Sequence, residues 1–376
     1  MNTTQLESLF FHPPATTAAE RSARKRHSSD RFRAPKVDRG RAPFHLDLAA
    51  ILPTRTSAIR ESGRLVFHAV GDTGGVNGTG AQINVADHMT RQIHESALPD
   101  QPSFLFHLGD VVYDHGEDTA YHEQFYHPYK DYPAPIFAIP GNHDGNTIDP
   151  AATLDPFLKH FCADQASHAP EAGHSNRPTM IQPSPYWRLE TPAATIVGLY
   201  SNVSGELDNT DQGGTEQADW LAEELKTAPA DRCLIVAVHH PIYSFGKHGG
   251  TARVRDALEQ AIDRSGRAPD AVLTGHDHCY QRFTRKREGR RIPVLVVGAG
   301  GFAGYDDLTR VDAKTEPFPD VKLEDYEDEH PGFLRLTVSR DSLTGEYFTV
   351  PKAGQEKRPE KLRDRFTLDI KTHHLS

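Results

Sequence analysis

The sequence predicts an α/β fold, a four-layer αββα sandwich of two mixed sheets packed face to face and flanked by helices. Three observations predict it. Short β-branched or aromatic runs (Leu65-Val66-Phe67, Phe104-Leu105-Phe106, Ile136-Phe137-Ala138-Ile139, Leu234-Ile235-Val236-Ala237-Val238, Ala271-Val272-Leu273) each lead into Gly or Pro plus polar residues, as strands buried on both faces do. Helical patterns separate several of them with short connections, which implies βαβ units and right-handed crossovers. The polar residues after these runs fall at the carboxyl edge of a sheet, where open α/β folds place ligands.

Along the chain the expected order is strand 65–70, helix about 80–95, strand 103–107, helix about 118–127 and strand 135–139. The span from Gln82 to Ile93 is amphipathic. Residues 163–183 hold Gln, Ser, His, Pro and Gly without apolar period and read as an irregular insertion. A strand near 194–199 then leads to helix 216–225, strand 234–238, helix about 252–263, strand 271–273, and strands 292–297 and 333–338. In the basic run 282–291, Glu288-Gly289 reads as a hairpin turn flanked by solvated charges rather than a nucleic-acid patch. Gly298-Ala299-Gly300-Gly301 follows a strand without a P-loop Lys, so a tight turn is expected.

Three regions follow: an irregular basic N-terminal arm over 1–60, a catalytic domain over 61–350, and a C-terminal tail over 351–376. Residues 1–42 hold nine Lys/Arg against four Asp/Glu, whereas 305–330 carry ten acidic and three basic side chains and read as an exposed loop. The chain has 376 residues, 37% hydrophobic content and a formal net charge of −10, which argues against nucleic acid as a partner. Cys162, Cys233 and Cys279 form no CxxC pair, so neither a disulfide framework nor a thiolate metal site is indicated. No signal-peptide core or membrane-spanning run is present, and a cytoplasmic protein without membrane partners is expected. Oligomeric state is left open.

Five blocks carry the chemistry: Gly71-Asp72-Thr73-Gly74, Gly109-Asp110-Val111-Val112-Tyr113, Gly141-Asn142-His143-Asp144, Val236-Ala237-Val238-His239 and Gly275-His276-Asp277-His278. One such block is ordinary turn chemistry; five in order supply the ligands of two metal ions. The Asp110 carboxylate has two oxygens and can bridge cations about 3.5–4 Å apart. Asp72, His278 and the Tyr113 phenolate complete one position, and Asn142, His239 and His276 the other. The first is richer in negative charge, which suits a trivalent–divalent pair, Fe(III) with divalent Zn, Mn or Fe.

These blocks resemble those of the calcineurin-like metallophosphoesterases, and more narrowly the purple acid phosphatases, over about residues 64–300. Most of that superfamily has DxH in the first block; here Gly74 stands in place of the histidine and Tyr113 supplies a replacement ligand. The resemblance implies hydrolysis of a small phosphate monoester, with a metal-bound hydroxide attacking phosphorus in line and His143 protonating the departing alkoxide. Asp144 is expected to orient His143 or to cap a turn. His248, nine residues after His239, resembles the substrate-side histidine of plant relatives. His160, His168 and His174 read as ordinary residues of the insertion. A phosphodiesterase of the same superfamily, acting on cyclic nucleotides or glycerophosphodiesters, is the alternative enzyme, and a protein-binding scaffold without turnover the alternative class.

Overall fold

The computed structural model describes residues 43–75, 78–145, 154–202, 207, 216–302, 308, 318–352 and 359–376. Two mixed sheets form its centre. The larger has eight strands in the order β1 (His45–Asp47), β5 (Trp187–Glu190), β6 (Ala194–Leu199), β7 (Cys233–Val238), β8 (Ala271–Thr274), β10 (Arg290–Val297), β9 (Tyr280–Arg287), β11 (Val321–Glu327). The smaller has six: β14 (Lys361–Asp369), β13 (Ser342–Thr349), β12 (Gly332–Ser339), β2 (Arg64–Val70), β3 (Leu105–His107), β4 (Ile136–Ala138). Strands β2, β3 and β4 run parallel, as do β6, β7, β8 and β10.

Period-two alternation sends one strand into two cores. In β7, Cys233, Ile235 and Ala237 face the core between the sheets, while Leu234, Val236 and Val238 join a second core with α4 (Glu216–Thr227) and α5 (Ala252–Ser265). Helix α2 (Gly80–Glu95) places Val85, Met89 and Ile93 against the first core, the stripe expected from its amphipathic pattern. The β9–β10 hairpin turns on Glu288 at φ 49° and Gly289 at φ 80°. Positive φ at both positions is what a tight two-residue hairpin requires.

Several expectations need correction. Residues assigned to the arm form β1, which pairs with β5, and α1 (Pro53–Ser62); residues 1–42 lie outside the described set. The expected tail contains β14, paired with β13 along its length. Of the acidic loop, 321–327 is the edge strand β11 on β9, and much of 305–317 lies outside the described residues. The helix expected at 118–127 is a 3-10 turn, Asp118–Ala120, followed by a π-turn, His122–Tyr126. That wider turn buries Phe125 and Tyr126 and turns Gln124 inward onto the Tyr113 backbone. The insertion 163–183 is irregular apart from the 3-10 turn Pro170–Ala172 and a bridge from Cys162 to Ile181; helix α3 (Asp155–Phe161) precedes it.

Candidate metal centre

Five parallel strands end at one edge, and each is followed by one block. Asp72 follows β2, Asp110 follows β3 and Asn142 follows β4 on the smaller sheet; His239 follows β7, and His276 and His278 follow β8, on the larger. Asp72, Asp110 and His276 have φ of 58°, 52° and 72°. A left-handed backbone at a residue with a side chain costs about 1–3 kcal/mol and is typical of sites where direction matters. The glycines beside them leave room: a Cβ on Gly275 would stand 2.6 Å from Asp72 Oδ2, and one on Gly141 would collide with the Asp110 carboxylate.

The seven candidate ligands converge. Tyr113 Oη donates to Asp72 Oδ1 at 3.3 Å and lies 3.4 Å from His278 Nε2. On the other side, His239 Nε2 is 3.0 Å from Asn142 Oδ1 and 3.4 Å from Asp110 Oδ2. One ligand atom each of Asp110, His239 and His276 lies within 4.8 Å of the others. Asp110 stands between the groups, its Oδ1 accepting the His143 N–H at 2.7 Å.

Neighbours fix the orientation of these side chains. His239 Nδ1 is held by the Leu108 carbonyl at 2.9 Å, which aims Nε2 at the centre as metal-binding imidazoles require. The His276 N–H donates to Asp72 Oδ2 at 2.8 Å, tying the fifth block to the first. Gln124 clamps the Tyr113 backbone on both sides, accepting from its N–H at 2.8 Å and donating to its carbonyl at 2.6 Å.

The remaining expected residues separate. His143 lies beside Tyr113, ring centres 4.4 Å apart, with Nδ1 held by the Asp114 carbonyl at 2.7 Å. Asp144 does not supply that contact, so of its two expected roles, orienting His143 or capping a turn, the first is not seen. Its buried carboxylate accepts the N–H groups of Val111, Val112 and Gly141 at 2.9, 3.1 and 2.8 Å, joining the second and third blocks. The His248 ring is 4.5 Å from His276 and 6.3 Å from His278, and its backbone N–H donates to Asp277 Oδ1. The structure adds Phe302, packed 4.3 Å from Tyr113 and 4.4 Å from His278 between ring centres. No sequence signal marked Phe302 or Gln124, because both act through contacts across the fold.

Electrostatics show what the pocket wants. Burial, with the neighbouring Asp110 adding to it, pushes the Asp72 carboxyl well above its ordinary range. Burial works in the same sense on Asp110, yet His239 and His143 hold its carboxyl well below that range. His239, penalised by burial, is raised to about 9 by Asp110 and Asp72. Burial, then Asp110 and Asp72, push the Tyr113 phenol well up. Among the described residues neither carboxylate has a Lys or Arg partner. Buried carboxylates without a Lys or Arg partner among the described residues, beside imidazoles and a phenol, form an oxygen and nitrogen donor set that fits hard or borderline metal cations.

Comparison with known proteins agrees with this geometry. Residues 65–280 match the model of the calcineurin-like phosphoesterase family. Tartrate-resistant acid phosphatase type 5 of Mus musculus is 27% identical over 324 residues, 78% of this chain and 89% of that protein. A cAMP/cGMP dual specificity phosphodiesterase of Mycobacterium tuberculosis is 29% identical over 235 residues, 58% of this chain and 63% of its own. Among solved structures, GAP50, the anchor in the inner membrane complex of Plasmodium, superposes with a TM-score of 0.58 at 17% identity, covering 82% of this chain and 89% of that one; this supports the fold. The family match spans all five blocks that the two sheets bring to one edge, so the chain belongs to the calcineurin-like phosphoesterase family and is a phosphoric ester hydrolase.

Proposed function

We propose that this protein hydrolyses small phosphate monoesters at a binuclear centre in which Asp72, Asp110, Tyr113 and His278 hold Fe(III), and Asp110, Asn142, His239 and His276 hold divalent Zn, Mn or Fe. The observation that carries this reading is the Tyr113 hydroxyl against Asp72 Oδ1 and His278 Nε2, at 3.3 and 3.4 Å. A phenolate there adds the anionic oxygen that a trivalent ion favours. When bound, the cations supply Lewis acidity and a hydroxide nucleophile near neutral pH.

The chain's own groups do the rest. His143, with Nδ1 anchored on the Asp114 carbonyl, has Nε2 left to protonate the departing alkoxide. Asp144 is a positioning residue: its three backbone bonds keep the Asp110 and Asn142 loops in register. His248, over the His276 ring, offers an imidazole to the phosphoryl oxygens. In this reading the catalytic body extends beyond 61–350 to take in β1 and β14 as edge strands. The three cysteines are buried and none forms a disulfide, which supports the reducing cytoplasm expected from the sequence.

Phosphodiester hydrolysis is the second reading, favoured by the cyclic-nucleotide phosphodiesterase relative. The monoester reading draws on the acid phosphatase relative, whose alignment covers more of both chains. Metal analysis of purified protein, followed by p-nitrophenyl phosphate against bis(p-nitrophenyl) phosphate and cyclic AMP, tests the choice. At least two metals per chain and kcat/KM at least about tenfold higher for the monoester are expected, about 1.4 kcal/mol of transition-state preference. The opposite ratio establishes the diesterase, and no turnover by metal-loaded protein overturns both.

A further inference from the structure

We propose that Asp118, His160 and Glu171 form a divalent-cation site, distinct from the binuclear centre, that clamps the irregular insertion to the catalytic body. One ligand atom from each lies within 4.8 Å of the other two. His160 Nε2 is 2.9 Å from Asp118 Oδ1 and 4.0 Å from Glu171 Oε2. The three come from separate segments: the turn after β3, helix α3, and the 3-10 turn inside the insertion.

Three details point to a cation. First, His160 is buried and presented like a ligand: Tyr126 Oη meets its Nδ1 at 2.9 Å, and the Tyr121 ring stacks on it at 3.9 Å. A hydrogen bond to the far nitrogen fixes the tautomer and aim of metal-binding imidazoles.

Second, Glu171 Oε2 is a buried carboxylate oxygen without a hydrogen-bond partner. Leaving such an atom unsatisfied is costly, and it faces the same space as the imidazole. Third, the nearby ammonium engages the other two carboxylate oxygens. Lys159 Nζ takes Asp118 Oδ2 at 2.6 Å and Glu171 Oε1 at 2.8 Å, the outer oxygens. The inner oxygens, Oδ1 and Oε2, remain with His160 Nε2 as a tridentate set. One imidazole and two carboxylates suit Zn2+ or Mn2+, with water completing the shell.

Zn2+ stoichiometry on the full-length protein tests this, comparing wild type with His160→Gln and with the isosteric Glu171→Gln. Each variant is expected to bind one Zn2+ fewer per chain, whatever the occupancy of the binuclear centre. A failure of the binuclear assignment lowers the count equally in all three proteins and leaves the difference of one. Lys159→Gln removes a like charge while sparing the inner oxygens, and is expected to tighten this Zn2+ site about tenfold. Equal counts in wild type and both ligand variants, or Lys159→Gln leaving Zn2+ affinity unchanged while lowering Tm, overturn the proposal and leave an ion-pair clasp only.

Discussion

A Cβ on Gly74 would stand 3.0 Å from Tyr113 Cδ2 and 2.5 Å from Gln124 Oε1. The first-block position is therefore closed by the second block, its tyrosine and the groups that hold it. With Tyr113 clamped by Gln124 and the Val111 carbonyl 2.7 Å from the same Cβ position, a histidine at position 74 does not fit this arrangement of the second block, so the missing histidine and the tyrosine's setting go together.

That exchange makes the phenolate testable. Iron-loaded wild type is expected to absorb in the visible, and Tyr113→Phe to lose the band while keeping the wild-type metal content. Gly74→Ala has room only if Gln124 and the Val111 carbonyl before Tyr113 move; its band is expected to shift and its kcat/KM to fall about tenfold, the consequence of misplacing a reacting group. A band of unchanged position and strength in Tyr113→Phe removes the tyrosine from the ligand set.

Loading the centre is expected to release protons. Before loading, His239 carries a proton up to about pH 9 and the Tyr113 phenol is held neutral well beyond its ordinary pKa. Both must lose a proton to coordinate, so apparent affinity rises with pH, about tenfold per unit for each proton displaced. Calorimetric titration in two buffers of different ionisation enthalpy counts the protons. Fewer than two per fully loaded chain at pH 7 contradicts the seven-ligand assignment.

Away from the centre, Glu360 fastens the approach to β14 onto α2 through His88 Nδ1 at 2.6 Å and Gln92 Nε2 at 3.3 Å. Burial opposes its charge, but the His88 and Gln92 contacts bring its pKa down to about 2. Because the folded value lies below the unfolded one, its stabilisation is complete above about pH 4.5 and lost as pH falls toward 2. After discounting for its half-buried position, Glu360→Gln is expected to cost about 1 kcal/mol at pH 7. The gap between wild-type and variant Tm should close by pH 2–3; a gap independent of pH indicates a packing effect.

The strands that carry the ligands were legible because parallel strands buried on both faces read as unbroken apolar runs, as Leu234 to Val238 do. Strand β14 was not: Lys361-Leu362-Arg363-Asp364-Arg365-Phe366 hides its alternation among charges, several of them engaged in ion pairs across the sheets. Strand β1 has three residues, too few to show a period. The turn at 118–126 carries apolar residues that fit a helix, and its wider winding goes with long-range contacts of Gln124 that local pattern does not show. At the site, residues that touch metal have diagnostic spacing. Those that aim the ligands, such as Leu108 through its carbonyl and Phe302 through its ring, have none. Asp144 was noticed for its place in the third block, yet its contacts depend on how two loops meet.

The leaving group's need for a proton should expose the role of His143. p-Nitrophenolate departs without protonation, whereas an alkoxide does not, so an acid matters most for alkyl phosphates. His143→Asn is expected to lower kcat about 10²–10³-fold for an alkyl monoester and about tenfold for p-nitrophenyl phosphate, with metal content unchanged. The Asp114 carbonyl that holds Nδ1 remains in the variant, so the loss reports the missing proton donor rather than a rearranged loop. Equal losses for both leaving groups would assign His143 to phosphate binding instead, in which case a raised KM should accompany them.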